Sequence, residues 1–211
     1  MLDYATKYFG LPSNHSGIVA DAVTYMADVA ANPEQRYDYI IHDVFTGGAE
    51  PVDLFTAEFL ATLHAGLKPN GVIAINYASD LLQPTTHLIL RTILSTFPSC
   101  RIFRELEQPT AEQIIIDGQD FTNMVVFCHV RSSAPVTFRK AVEADYLGSP
   151  SIQEYLLPQF EIPMESVERG DANDVLTRNN TQRLDETQRK SAVGHWNVMR
   201  TVIPLRVWEL W

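Results

Sequence analysis

Two short apolar runs with a helical stretch between them form the clearest pattern in the chain. Residues 37–44 (YDYIIHDV) and 72–77 (VIAINY) have apolar centres, which are typical of buried strands covered by helices on both faces. Residues 54–67 repeat large apolar side chains at helical spacing. A strand, a helix and a strand within about 40 residues predict a βαβ unit with parallel strands and a right-handed crossover.

A turn and two upstream elements are predicted around this unit. Residues 68–71 (KPNG) predict a tight turn in which Gly71 takes a positive φ. Residues 1–11 predict a helix that closes at Gly10. Residues 17–20 (GIVA) are a short apolar run and predict a further strand.

The downstream pattern predicts how the sheet ends. Residues 81–97 predict a helix, and residues 101–107 and 124–130 predict two strands that pair antiparallel. The predicted fold class is therefore α/β, with a Rossmann-like, mostly parallel sheet and an antiparallel final strand. Prolines and a polar stretch then replace the long periodic segments, so we predict an α/β domain over residues 1–130 and a helical or irregular extension over residues 131–211.

Charge and composition narrow the classes of function. Sixteen Lys and Arg residues against 26 Asp and Glu residues give a net charge of −10, which argues against a nucleic-acid or anionic-membrane partner. The first ten residues lack the pattern of a signal peptide, and no apolar run approaches the roughly 18 to 20 residues that span a bilayer. We expect Cys100 and Cys128 to be buried, inert thiols, and the protein to be cytoplasmic.

Acidic and polar residues follow the predicted strands where ligands bind in an open parallel sheet. Asp21 follows GIVA, Asp43 ends YDYIIHDV, and Asn76 and Tyr77 end VIAINY. A carboxylate at such a place can accept a hydrogen bond from an adenine amino group, hold an ammonium ion or take a proton from an attacking amine. Two alternatives stay open: Asp21 caps the following helix, and Asp43 is a solvated loop carboxylate.

The other polar residues nearby point to less chemistry. His42 lies beside Asp43, but strand alternation turns it to the opposite side, so we expect it to pack under a helix. No spacing of histidines or cysteines predicts a metal site. Gly47 and Gly48 lie in no phosphate-binding pattern, and the absence of GxGxxG disfavours a nicotinamide-dependent oxidoreductase.

Residues 37–79 resemble the central sequence segment of the spermidine and spermine synthase family. That family combines a YDVII-type strand ending in Asp with an LFT-x-EF helix start and LKP-x-G before the next strand. KYFGLP upstream of Asp21 and VLT at residues 175–177 extend the similarity. The matching residues of the central segment are Tyr37, Asp38, Ile40, Ile41, Asp43, Leu54, Phe55, Thr56, Glu58, Phe59, Leu67, Lys68, Pro69 and Gly71.

The resemblance implies the class I methyltransferase fold, with S-adenosylmethionine or its decarboxylated form as the cofactor. By position, Asp21 and Ala22 would contact the adenine, and Asp43 would accept the proton of the attacking amine. The loop that would close over the substrate contains Thr46, Gly47 and Gly48.

This sequence departs from the family pattern in three respects. Thr46 stands where a second aspartate is usual, and Arg178 stands where the tail of the family carries an acidic residue. The glycine-rich first strand of the family would precede KYFGLP, and these 211 residues do not contain it. Without that strand, the strand at residues 37–44 has an open apolar edge. We therefore expect a fragment or shortened product of a longer protein; the alternative is a chain that recruits the missing half from a partner.

The expected function is aminopropyl transfer from decarboxylated S-adenosylmethionine to a polyamine, a step of polyamine biosynthesis. Thr46 gives weight to the alternative of S-adenosylmethionine-dependent methyl transfer. An inactive homologue that binds a partner through its tryptophan-rich tail (Trp196, Trp208 and Trp211) is a second alternative. The expected partner is a small-molecule amine, with a homo-oligomer left open; neither a nucleic acid nor a membrane is expected.

Overall fold

The computed structural model of the chain describes residues 2–10, 17–44, 51–131, 135–167, 170–190 and 193. The elements alternate as expected for an α/β fold, and a 3₁₀ turn at Val52–Phe55 precedes α3. In chain order they are α1 (Leu2–Phe9), α2 (Ala22–Ala31), β1 (Tyr37–His42), α3 (Ala57–Ala65), β2 (Leu67–Asp80), α4 (Pro84–Thr96), β3 (Ser99–Arg104), α5 (Ala111–Asp117), β4 (Phe121–His129), α6 (Pro150–Tyr155), β5 (Phe160–Ile162) and α7 (Met164–Val167).

The five strands form one sheet in the order β1-β2-β4-β3-β5. β1 and β2 are parallel and joined through α3, which confirms the predicted βαβ unit. β4 runs antiparallel to both β2 and β3, so the predicted antiparallel pair is also confirmed. β1, β2 and β3 share one direction, whereas β4 and β5 run the opposite way, and the sheet is therefore mixed rather than simply parallel.

The hydrophobic core lies on one face of this sheet. Alternate residues of β2 and β4 are buried against α3 and α4 in a single cluster, which includes Ile73, Ile75, Leu60 and Ile93. On β1, however, Tyr39 and Ile41 are 76% and 79% exposed. The prediction that helices cover both faces of this strand is therefore wrong for the described residues. An apolar run without alternation shows that a strand is apolar, but not what covers each face.

β1 is also a terminal strand of the described sheet, as expected for an open edge. Its first residue, Tyr37, pairs with Leu67, whereas Tyr39 pairs with Val72. An advance of two residues along β1 therefore corresponds to an advance of five residues along β2. This irregularity takes the place of the predicted tight turn. Gly71 has no positive φ, and that prediction is wrong. A side chain there would lie 2.9 Å from Leu67 Cδ2 and 3.0 Å from the Lys68 carbonyl oxygen, so close packing requires the glycine.

The two ends of the described chain differ in how they pack. α1 is confirmed and ends before Gly10, whose φ is 67°. The strand predicted at residues 17–20 is not formed, and Val19 is 90% exposed. By contrast, Leu176 and Leu184 of the extension are buried in the common core. The division at residue 130 stays a prediction, and the three tryptophans of the tail lie outside the described residues.

A disulfide bond joins Cys100 of β3 to Cys128 of β4. The two residues are direct partners in the antiparallel register, and their Cα atoms lie 4.1 Å apart. The prediction of two inert thiols is therefore wrong. The spacing of two isolated cysteines in a sequence does not indicate a bond, because strand register alone brings these two together.

None of the helices that the structure describes has the length and apolarity needed to cross a membrane.

Candidate active site

Asp43 and Asn76 form the polar centre of the candidate site. β1 ends at His42, which pairs with Ile75, and the next residue of each strand carries a polar side chain. The Asn76 Nδ2 group donates a hydrogen bond to Asp43 Oδ1 over 2.9 Å. The sequence suggested that Asn76 ends its strand, but β2 continues to Asp80, and the strand passes the end of β1 by several residues. Tyr77 is buried beside Phe55 and faces the core instead.

This pair offers hydrogen-bond acceptors to a ligand. Asp43 is exposed, and its second carboxylate oxygen makes no hydrogen bond to any described residue. Asn76 Oδ1 is buried and lacks a partner within the described part of the chain. A buried acceptor without a donor is costly, and an ionised carboxylate accepts but does not donate. A ligand nitrogen that carries N–H groups, such as an amine or an imidazole, therefore suits this site.

Asp21 stands at the start of α2, as the capping alternative required. Its Oδ1 accepts hydrogen bonds from the Thr24 backbone N–H and from the Thr24 hydroxyl, each over 2.9 Å. These bonds lower the pKa of the Asp21 carboxyl group, so it is ionised at neutral pH. Its Oδ2 makes no bond to a described residue, and Ala22 beside it is exposed. Contact with an adenine stays a prediction for both residues.

The chain path places Asp21 and Asp43 toward the same end of the strands, the carboxyl end of β1. Only residues 32–36 connect the end of α2 to the start of β1, and α2 packs on α3 and on the 3₁₀ turn that precedes it. A helix that returns along a strand in this way has its first residue near the end of that strand. Asp21 therefore lies toward the carboxyl end of β1, where Asp43 follows.

His42 packs in the core, and the expectation for this residue is confirmed. The ring is 4% exposed, lies edge-on to Phe55 and also contacts Phe59 of α3. Its Nε2–H donates to the Leu54 carbonyl oxygen over 3.0 Å, which leaves Nδ1 unprotonated and without a partner among the described residues. Burial lowers the pKa of His42 below its usual value, because it disfavours the charged ring.

We expect His42 to make the free energy of unfolding depend on pH. The unfolded chain binds a proton at His42 near pH 6.5, whereas the folded chain binds it only at a lower pH, so stability falls as the pH falls below about 6.5. The slope contributed by one proton is at most about 1.4 kcal/mol per pH unit.

Urea unfolding at several pH values between 7.5 and 5 tests this. His42→Gln keeps an N–H donor for Leu54 and removes the titration, so its curve should be flatter. An equally steep curve for the variant would assign the pH dependence to another group.

The remaining predicted site residues have different outcomes. Thr46, Gly47 and Gly48 lie outside the described residues. The VLT segment packs at the start of α3: the Leu176 carbonyl oxygen accepts a hydrogen bond from the Ala57 N–H, and the Arg178 N–H approaches both oxygens of Glu58. No group of three or more potential metal ligands occurs among the described residues.

Sequence reasoning missed the role of Asn76 as the partner that holds Asp43. A signal was available, because Asn76 is the one polar residue within the apolar stretch VIAINY other than the terminal tyrosine. The register that places it beside Asp43, however, follows from strand pairing and is not visible in the sequence.

Solved structures identify the class of fold. A probable spermidine synthase from Corynebacterium glutamicum superposes with a TM-score of 0.54 at 18% sequence identity, over 84% of this chain and 59% of that chain. Human methyltransferase-like protein 13 in complex with SAH gives a TM-score of 0.47 at 21% identity, over 81% of this chain and 68% of that chain. The chain has an α/β fold of the class I methyltransferase type.

A curated relative adds a more specific similarity. The chain is 48% identical over 217 residues to an N-terminal histidine N-methyltransferase of Emericella nidulans. The alignment covers 99% of this chain but only 38% of the length of that relative. No family model matches the chain. The relative is a methyltransferase, so it favours the alternative of methyl transfer, and the expected aminopropyl transfer is not confirmed.

Proposed function

We propose that this chain is the catalytic part of an S-adenosylmethionine-dependent N-methyltransferase that acts on an N-terminal histidine. The observation that carries the proposal is the Asp43 carboxylate, held by Asn76 beyond the end of β1 in a methyltransferase-type sheet. The 48% identity to an N-terminal histidine N-methyltransferase supports this substrate class.

The described residues fit one side of the cofactor. Asp21 Oδ2 has no partner among the described residues and lies at an exposed helix start, where it would accept a hydrogen bond from the adenine amino group beside Ala22. Beside the edge strand β1, the described residues contain no glycine-rich loop that could bind the rest of the cofactor. The chain spans 38% of the length of its relative. In the proposal, the remaining part of that length supplies the rest of the cofactor site.

The cofactor, when bound, supplies a methyl group on a sulfonium sulfur. Asp43 and Asn76 act on the other reactant: their acceptor oxygens hold the N–H groups of the substrate nitrogen and orient its lone pair. The attacking nitrogen must lose a proton on methylation, and Asp43 takes it as a general base. The chain uses one carboxylate, Asp43, for this proton transfer. The family that the sequence resembles carries a second aspartate for aminopropyl transfer, and Thr46 stands at that position.

Calorimetry and a methylation assay test the proposal together. We expect a protein that contains this chain together with the rest of the cofactor site to bind S-adenosylmethionine. It should transfer the methyl group to a histidine-initiated peptide, without aminopropyl transfer from the decarboxylated cofactor to putrescine. Asp21→Asn should weaken cofactor binding about 10-fold or more, because a hydrogen bond to a charged group is lost.

The Asp21→Asn substitution isolates the effect on binding. Asparagine caps a helix as well as aspartate does, so α2 should keep its start. Asp28→Asn makes the same change of charge on an exposed position of the same helix and should leave the affinity unchanged. For the protein that contains the complete cofactor site, absence of heat with either form of the cofactor, or aminopropyl transfer without methyl transfer, would exclude the proposed activity.

A further inference from the structure

A second polar feature lies at the far ends of β2 and β3, apart from the Asp43 site. It is a pocket of about 390 Å³, within the size range of ligand sites, and it is lined by the end of β3, β5, α5 and the segment that follows β2. Its walls include apolar side chains, of which Ile162 is buried and Leu81 and Phe160 are half-buried.

A buried ion pair forms part of its lining. Arg104 Nη2 lies 2.5 Å from Asp120 Oδ1, and the two side chains are only 6% and 7% exposed. The backbone fixes Asp120 in turn: its N–H donates to Asp80 Oδ1 over 2.8 Å, and its carbonyl oxygen accepts from the Leu81 N–H over 3.0 Å. This network holds the guanidinium in place, but Arg104 Nε is buried and has no partner among the described residues.

The charges of the pocket determine which acceptor suits Arg104 Nε, which has no partner among the described residues. Asp120 neutralises Arg104, and Arg101 neutralises Glu161 through two hydrogen bonds of 2.7 and 2.8 Å. Glu107 has no ion-pair partner in the described part of the chain, so the lining carries a net negative charge. A carboxylate or phosphate would be repelled, whereas a neutral amide carbonyl can accept from Arg104 Nε. An amide group beside an apolar wall is the chemistry of a peptide backbone with its side chain.

The distance to Asp43 gives the position of that peptide group. Asn76 contacts Asp43, and Asp80, four residues further along β2, contacts Asp120 at the pocket. Four strand residues span about 13 Å. An extended peptide covers this distance in about four residues at roughly 3.3 Å each. An extended chain whose first residue lies at Asp43 and which follows β2 would therefore reach the edge of the pocket, at Leu81 and Asp120, with its fifth residue.

We propose that this pocket binds the backbone of a substrate peptide near its fifth residue, with Arg104 Nε donating to a peptide carbonyl oxygen. The proposal rests on the proposed function for the position of the first residue. It assigns to this chain a requirement for a polypeptide substrate rather than for a free amino acid or a dipeptide.

Peptide length provides the test. We expect a hexapeptide amide of one histidine and five alanines to bind about 10-fold more tightly than histidine-alanine amide, and to have a correspondingly lower KM with a similar kcat. Arg104→Lys keeps the charge beside Asp120 but removes the Nε donor, and it should reduce the advantage of the hexapeptide to about 2-fold. Arg183→Lys, which alters an ion pair with Asp174 away from the pocket, should retain the full advantage.

A second variant covers the case in which Arg104→Lys fails to fold. Phe160→Ala leaves the ion pair intact and shortens the pocket wall, so it should weaken the hexapeptide but not the dipeptide. Equal binding of the two peptides by the wild-type chain, or a hexapeptide advantage that survives both substitutions, would overturn the proposal. Binding is measured separately from turnover. Length-dependent binding without methylation would support the peptide pocket and exclude the proposed function. Methylation without length dependence would support the proposed function and exclude the peptide pocket.

Discussion

Replacement of Asp43 by asparagine should lower the turnover number for methyl transfer 10²- to 10⁴-fold and leave cofactor binding unchanged within about 2-fold. This range is the usual contribution of a positioned general base. Asparagine has nearly the same shape and keeps an oxygen that can accept from Asn76 Nδ2, so the local hydrogen bond at 2.9 Å should persist. What it loses is the ability to accept a proton and the charge that attracts a protonated amine.

The measurement is single-turnover methylation of a histidine-initiated peptide at saturating cofactor, with calorimetry on the same samples. Asp38→Asn is the matched control, because Asp38 lies on the same strand, is exposed and pairs with Lys68 at 2.7 Å. That variant should keep wild-type turnover. If Asp43→Asn retained more than a tenth of the wild-type rate, a role for Asp43 as general base would be refuted.

Reduction of the disulfide should lower the free energy of unfolding by about 3.5 kcal/mol. The bond closes a loop with a sequence separation of 28, and the loss of chain entropy in the unfolded state gives a stabilisation of this size. Typical domains are stable by about 5–15 kcal/mol, so the reduced chain should unfold at a clearly lower urea concentration.

Urea unfolding with and without dithiothreitol measures this effect. The Cys100→Ala/Cys128→Ala variant should be less stable than the oxidised wild type and should not respond to dithiothreitol. A wild-type midpoint that is the same in both conditions would show that the bond does not contribute in this way.

The bond also bears on where the protein resides. Structural disulfides persist in oxidising compartments, whereas the cytosol of most organisms keeps thiols reduced. The predicted cytoplasmic location stays a prediction, and the joined cysteines favour an oxidising compartment instead.

The sequence predicts the local elements of this fold better than their surroundings. The βαβ unit between Tyr37 and Tyr77 follows from apolar periodicity, because each of its elements is long enough to show its own repeat. β5 has only three residues, Phe160–Ile162, and so short a segment has no visible period. The exposure of Tyr39 and Ile41 could not be predicted either, since it depends on what packs against β1 and not on β1 itself.

In the candidate site too, the sequence predicts single residues but not the contacts between them. Asp43 is found from its place at the end of a strand. Asp21 is predicted from its place after a strand at residues 17–20 that does not form, and it caps α2 instead. Asn76, the partner of Asp43, lies 33 residues away, and the Arg104–Asp120 pair is separated by 16 residues, so tertiary contacts alone bring these groups together. Each of these contacts depends on strand register or on a loop conformation, which single-sequence patterns do not specify.

The position of the disulfide within its strand pair also determines where that pair can move. Cys100 and Cys128 are linked near the start of β3, whereas Arg104 pairs with Met124 at its other end, about 13 Å along the strand. Local opening of a strand pair proceeds from an end that is free to separate, and the covalent bond prevents separation at the start of β3. Fluctuations of β3 against β4 are therefore hinged at the disulfide. At the Arg104 end they are opposed by the pairing with β5 and by the Arg104–Asp120 ion pair. Without cleavage of the bond, this strand pair can therefore open only from the end that lines the pocket, against the pairing with β5 and the ion pair.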